Sequence, residues 1–165
     1  MKDSLRIRFA VENDIPLIFE FIKKLAKYEK ALDKVTTSEK TLYENLFRKR
    51  YAEALIADLN KEPIGFAIIF HNFSSYSGKA GIYIEDIYIN EGFRGRGYGK
   101  KLFSFIANLA VQRDCDRVDL SVLNWNKEAI KFYKLFGAKG MLEKTIFRLS
   151  GKNLQKCANL IQSIL

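Results

Sequence analysis

One stretch of the chain limits its fold more than any other. The β-branched and aromatic run Gly81-Ile82-Tyr83-Ile84-Glu85-Asp86-Ile87-Tyr88-Ile89 leads into a basic glycine turn, Arg94-Gly95-Arg96-Gly97-Tyr98-Gly99-Lys100. A helix follows with Leu102, Phe103, Ile106, Ala107 and Ala110 on one face. The run is apolar enough to be a central strand, and a strand passing through a glycine turn into an amphipathic helix is the building unit of an α/β sheet. Two carboxylates, Glu85 and Asp86, interrupt that strand. Adjacent strand residues face opposite sides unless a bulge lies between them, and a carboxylate buried there without a partner is costly.

The remaining elements fit around this unit. Leu5-Arg6-Ile7-Arg8-Phe9 alternates as a first strand. A helix with Asp14 as cap and Pro16 in its first turn carries the stripe Ile15, Ile18, Phe19, Ile22, Leu25 and Ala26. Thr36 with Glu39 reads as a capping box for a second helix with Leu42, Leu46 and Phe47. The runs Ala54 to Leu59 and Ile64 to Phe70 pair antiparallel across the turn Asn60-Lys61-Glu62-Pro63. After the glycine turn and its helix come a strand at Val118, Leu120 and Val122 and a helix capped by Asn126, with Ala129, Ile130, Tyr133 and Phe136 on one stripe and Gly137 at its end. A strand from Thr145 to Leu149 and an amphipathic stretch with Leu154, Cys157, Ala158 and Ile161 close the order β-α-α-β-β-β-α-β-α-β-α. The expectation is one α/β domain over residues 1–165, its mixed sheet antiparallel at one end and partly parallel at the other.

Composition narrows the class. With 165 residues, 48% of them apolar, and only 2 prolines and 10 glycines, the chain is an ordinary globular protein that needs no metal or disulfide to complete its core. Cys115 and Cys157 have no second thiol or histidine at ligand spacing, so no metal site is expected and both read as ordinary buried thiols. The longest apolar run, Ile64 to Phe70, is far below the roughly 18 residues of a membrane span, and the N-terminus has no signal segment. A cytoplasmic location is the expectation. The excess of 28 basic over 19 acidic residues, net +9, is compatible with nucleic acid, an anionic ligand or solvation. Arg48-Lys49-Arg50 reads as a solvated helix end, and His71, the single histidine, as structural.

The glycine turn carries the chemistry. Between a strand and a helix, free backbone N–H groups and the positive end of the helix dipole hold phosphate. Glycines at 95, 97 and 99 let the backbone approach, while Arg94, Arg96 and Lys100 add charge. A P-loop is excluded because Arg94 stands where its first glycine belongs and Lys101 where its Ser or Thr belongs. A dinucleotide fingerprint fails at Lys100 or Leu102, depending on which glycine begins it.

What the turn does contain is Arg-x-x-Gly-x-Gly, as Arg94, Gly97 and Gly99. It resembles the acetyl-CoA pyrophosphate loop of the GCN5-related N-acetyltransferase (GNAT) family. The order of elements from residue 5 to about 149, and Trp125-Asn126 with Phe132-Tyr133 and Gly137-Ala138, are also similar to that family. Leu25-Ala26-Lys27-Tyr28-Glu29, Ile84-Glu85-Asp86 and Trp125-Asn126 with Phe132-Tyr133-Lys134 resemble its diamine, or spermidine/spermine, branch. The loop Phe73-Ser74-Ser75-Tyr76-Ser77-Gly78 departs from that branch, lacking its Asp and Trp.

The resemblance implies transfer of acetyl from acetyl-CoA to a primary amine by direct attack. It implies Glu85 as general base, acting through a water relay, and Tyr133 as the acid for the leaving thiolate. Tyr28, Glu29, Glu85 and Asp86 would hold a small cationic amine. Ile87, Tyr88, Ile89, residues 94–100, Asn126 and Tyr133 would hold the cofactor, with the backbone N–H groups of Ile87 and Ile89 at the acetyl oxygen. Read without the resemblance, Tyr133 is core packing on an apolar stripe, and Tyr28 and Glu29 are a solvated helix end. A carboxylate of pKa about 4.3 facing an ammonium near 10.4 is mismatched by roughly 8 kcal/mol, so burial must narrow the gap. The resemblance and the apolar C-terminal stripe point to a homodimer. A protein or peptide acetyltransferase, and a non-catalytic nucleic-acid-binding module, are the competing readings. The latter lacks interleaved surface aromatics or a recognition helix.

Overall fold

The computed structural model describes residues 4–163. Its sheet has five strands in the order β1-β2-β3-β4-β5: β1 (Leu5–Phe9), β2 (Glu53–Leu59), β3 (Glu62–Ser74), β4 (Lys79–Ile89) and β5 (Val118–Leu120). The first four are antiparallel, and β5 joins β4 in parallel after a helical crossover. The helices are α1 (Ile15–Tyr28), α2 (Glu39–Tyr43), α3 (Tyr98–Gln112), α4 (Lys127–Lys134) and α5 (Gly151–Asn159). The chain divides into two compact units between Ser121 and Val122. Among the described residues, no helix is long and apolar enough to cross a membrane.

In the first unit β2 and β3 are buried on both faces, as their continuous apolar runs require. On one face Ile18 and Phe21 of α1 pack with Ala54, Ile56, Phe66, Ile68 and Tyr88, and the Phe21 and Phe66 rings stack at 5.3 Å. The crossover helix α3 buries Leu102, Phe103, Ile106 and Leu109 and packs against β4 and β1.

Several local expectations are corrected. Asp14 stands at the start of α1 but does not cap it. Its carboxylate accepts from Arg8 at 2.6 and 3.0 Å and from the Val11 N–H at 2.8 Å, and Arg8 also reaches Asp58 at 2.8 Å. A guanidinium offering paired donors outcompetes weaker backbone capping. The buried stripe of α1 runs through Ile15, Ile18 and Phe21, while Phe19 stays half-buried beneath the Lys23 ammonium. Ser38, not Thr36, caps α2, accepting from the Thr41 N–H at 3.2 Å. The β2–β3 turn is only Asn60-Lys61, both with positive φ, the backbone twist that a two-residue hairpin needs. Cys115 is half-buried and Cys157 exposed, so neither is a buried core thiol.

The second unit holds α4, α5 and the connection between them. Gly137, at φ +81°, ends the turn after α4 in the left-handed conformation the sequence calls for. Thr145 to Leu149, expected as a strand, is not one. Alternation sets faces but does not by itself make a strand, which needs a paired neighbour, and Ile146 and Phe147 lie 77% and 93% exposed. Leu154 and Ile161 are exposed too, and Ile164 and Leu165 lie outside the described residues.

Candidate acetyl-transfer site

The site in the first unit is created by two irregularities of β4. The first is a bulge. Ile69 pairs with Ile84 but Ile68 pairs with Asp86, so Glu85 is an extra residue without a partner. The bulge shifts the alternation by one, placing Asp86 opposite Ile68 on the face that carries Tyr88 and α1. In a regular strand Asp86 would lie on the face of Ile84.

The second irregularity is a splay. β5 pairs with β4 only at Ile82, Tyr83 and Ile84, and from Glu85 to Ile89 that side of β4 has no strand partner in this sheet. The Asn90 N–H donates to the Ile64 carbonyl at 2.8 Å, so antiparallel alternation turns the N–H groups of Ile87 and Ile89 toward the open side. A wedge lined by backbone donors results.

Charge gathers beside it. Asp86 is half-buried, and its carboxyl is pushed up to about 6 by burial, then by the neighbouring charges of Glu85 and Glu29. Burial also raises Glu29, the residue after α1. Glu85 is exposed. The end of α1 thus meets the bulge of β4, and an acidic trio forms where sequence reading places an amine.

At the end of β4 a turn through Glu91–Phe93 leads into the glycine loop. Gly95 and Gly97 have φ of +77° and +84°, which only glycine adopts without strain, and open space surrounds the positions a Cβ would fill. Gly97 opens α3, and no side chain caps it. The first intrahelical bond runs from the Lys101 N–H to the Gly97 carbonyl, leaving the N–H groups of Tyr98, Gly99 and Lys100 ahead of the hydrogen-bonded ladder. Donors aimed outward at the positive end of a helix suit a phosphate, so the loop fits the pyrophosphate of CoA. Arg96 and Lys100 are exposed around it, while Tyr98 is buried.

Arg94 is arranged differently. Its Nε donates to the Ile89 carbonyl at 2.9 Å, and the guanidinium lies over Tyr28 at 4.5 Å and Tyr88 at 5.1 Å from the ring centres. This stack has no signature in the sequence, because it joins residues from three elements.

Asn126 and Tyr133 belong to the second unit. Asn126 caps α4, its Oδ1 accepting from the Ala129 N–H at 3.2 Å. Tyr133 is half-buried, with its ring edge-on to Phe132 at 5.2 Å. His71 is exposed within β3, its Nε2 3.4 Å from Arg113, and has no place in the site.

A wedge between two parallel strands, closed at one end by a helix start whose free N–H groups suit an anion, fits an acyl-CoA-dependent transferase. The sequence pattern of the Acetyltransferase (GNAT) family matches residues 20–138. The chain belongs to that family and is an N-acetyltransferase; enzymes of this family use acetyl-CoA as co-substrate. It is 33% identical to a thialysine N-epsilon-acetyltransferase of Sus scrofa, over 94% of this chain and 98% of that protein. It is 29% identical to the L-ornithine N5-acetyltransferase of Arabidopsis thaliana, over 91% and 86% respectively. An integron cassette protein from the mobile metagenome of V. cholerae has the same fold, with a TM-score of 0.78 at 27% identity over 94% of this chain and 98% of that one.

Proposed function

We propose that this chain acetylates the primary amine of a small cationic acceptor, of the lysine-like, ornithine-like or short-diamine kind. The observation that carries the reading is the acidic trio of Glu29, Glu85 and Asp86 beside the open edge of β4. The thialysine and ornithine acceptors in the names of its relatives support the same class. The family match crosses the boundary between the two units, which supports one acetyltransferase domain acting as a whole. A cytoplasmic homodimer is the setting we infer.

Bound acetyl-CoA supplies the acetyl group as a thioester. The N–H groups at the start of α3 hold its pyrophosphate, with Arg96 and Lys100 adding positive charge. Asn126 contacts its arm. Glu29 and Glu85 draw in the ammonium of the acceptor, with Tyr28 as an apolar wall. The burial of Asp86 supports reversing the roles expected of the two strand carboxylates. Raised to about 6, Asp86 matches an amine better than its ordinary value would, so Asp86 takes the ammonium proton and exposed Glu85 passes it to water. The freed nitrogen forms its bond to the acetyl carbon as the carbon–sulfur bond breaks. The N–H groups of Ile87 and Ile89 donate to the carbonyl oxygen as it gains charge, the Tyr133 hydroxyl protonates the departing sulfur, and the surplus proton of the acylated nitrogen leaves through water and restores that hydroxyl.

The acceptor is tested by comparing kcat/KM for thialysine, a short diamine and spermine. The acidic trio acts at contact, whereas the net charge of +9 slows the approach of a long polycation, most strongly at low salt. Thialysine or the diamine should therefore exceed spermine. Preference for spermine at every salt concentration would contradict the assignment.

A further inference from the structure

Arg94 opens the glycine motif, yet its guanidinium is turned toward the acceptor side of the site. We propose that Arg94 is a positioning residue for the acceptor amine, clamping the end of α1 to the mouth of the anion loop, and not a phosphate ligand. The inference rests on the acceptor site described above.

Three contacts define the clamp. The planar cation lies over the rings of Tyr28 and Tyr88, at 4.5 and 5.1 Å, and its Nε donates to the Ile89 carbonyl at 2.9 Å. Tyr28 is the last residue of α1, and Glu29, next in the chain, acts electrostatically on Asp86. Holding Tyr28 therefore fixes where the acidic trio stands. Tyr88 in turn packs against Phe21 in the core, at 6.3 Å between ring centres, so the clamp is anchored to the rigid part of the unit.

The bond to Ile89 has a second consequence. The carbonyl and N–H of Ile89 share the open side of β4, and a bare carbonyl there would repel the oxygen that the N–H is placed to receive. Occupying the carbonyl with Arg94 leaves the N–H as the available group. Lysine cannot reproduce this arrangement, because a compact ammonium lacks the planar face and the fixed Nε donor.

Arg94→Lys and Arg94→Gln test the clamp with three readouts: KM for thialysine, calorimetric Kd for acetyl-CoA, and amide hydrogen exchange. The KM should rise about tenfold, the size of losing two cation–π contacts, while Kd changes less than about threefold. Exchange should quicken at the amides of Glu29, Lys30 and Ala31, which close the last turn of α1 by bonding to Leu25, Lys27 and Ala26, and stay unchanged at the start of α3. Tyr28→Leu should quicken the same amides, with no further effect when combined with Arg94→Gln. A tenfold or larger loss of acetyl-CoA affinity, with amine KM and exchange unaltered, would overturn the proposal and make Arg94 a phosphate ligand. If the wild type acetylates no small amine, the acceptor reading fails, yet the exchange experiment still decides whether Arg94 holds α1: unchanged exchange refutes the clamp. Arg94→Lys keeps the charge, so the test survives if Arg94→Gln does not fold.

Discussion

Asp86 at neutral pH is a charge held among other negative charges in a half-buried position, and the protein is less stable for it. Its folded value of about 6 lies above the ordinary 3.8. Between these values the folded state binds the proton that the unfolded state has released, so stability falls as pH rises through the window and is flat above it. The penalty at pH 7 is up to about 3 kcal/mol. Asp86→Asn should therefore raise Tm at pH 8, by an amount that shrinks toward pH 4, while removing the rise of kcat/KM through pH 6. Thermal melts and rate profiles across pH 4–8 check both, and a destabilised variant at pH 8 would count against the burial argument. For Tyr133 the change to Phe keeps the ring against Phe132 and removes only the hydroxyl. A fall in kcat of about 10²–10⁴-fold with unchanged CoA affinity is expected of a lost general acid. An unaltered kcat would assign Tyr133 to packing.

At the scale of elements, the loop and α3 act together. Gly97→Glu places a side chain where φ is +84° and a negative charge at the helix start, so acetyl-CoA binding should vanish in calorimetry while far-UV circular dichroism stays native. Retained affinity would remove the pyrophosphate assignment. This unit was legible in the sequence because its signals are local: the apolar β4 run, the glycine spacing and the α3 stripe each reside in consecutive residues. The two carboxylates in β4 also announced a bulge or an opening. What was not legible depends on partners far away in the chain. Asp14 reads as a cap until Arg8 is brought beside it, and the stack of Arg94 on Tyr28 and Tyr88 forms only once three separate elements are folded together. Thr145 to Leu149 alternates well enough to be a strand, but alternation describes faces and not the neighbour that must supply the ladder.

For the whole molecule, the second unit leaves Leu142, Ile146 and Phe147 between 77% and 95% exposed, and Leu154, Leu160 and Ile161 more than half exposed. So much apolar surface favours association. Sedimentation at micromolar concentration should give a dimer, and a monomer alone would reject the homodimer. In the proposed reaction the acidic trio is the seat of the amine on which acetyl transfer depends. The most direct test is steady-state turnover of a short diamine by the wild type and by a variant carrying Glu29→Gln, Glu85→Gln and Asp86→Asn, with calorimetric acetyl-CoA affinity as the control. The account predicts a large loss of kcat/KM, about 10²-fold or more, with cofactor affinity unchanged. Equal kcat/KM in the two proteins would contradict it.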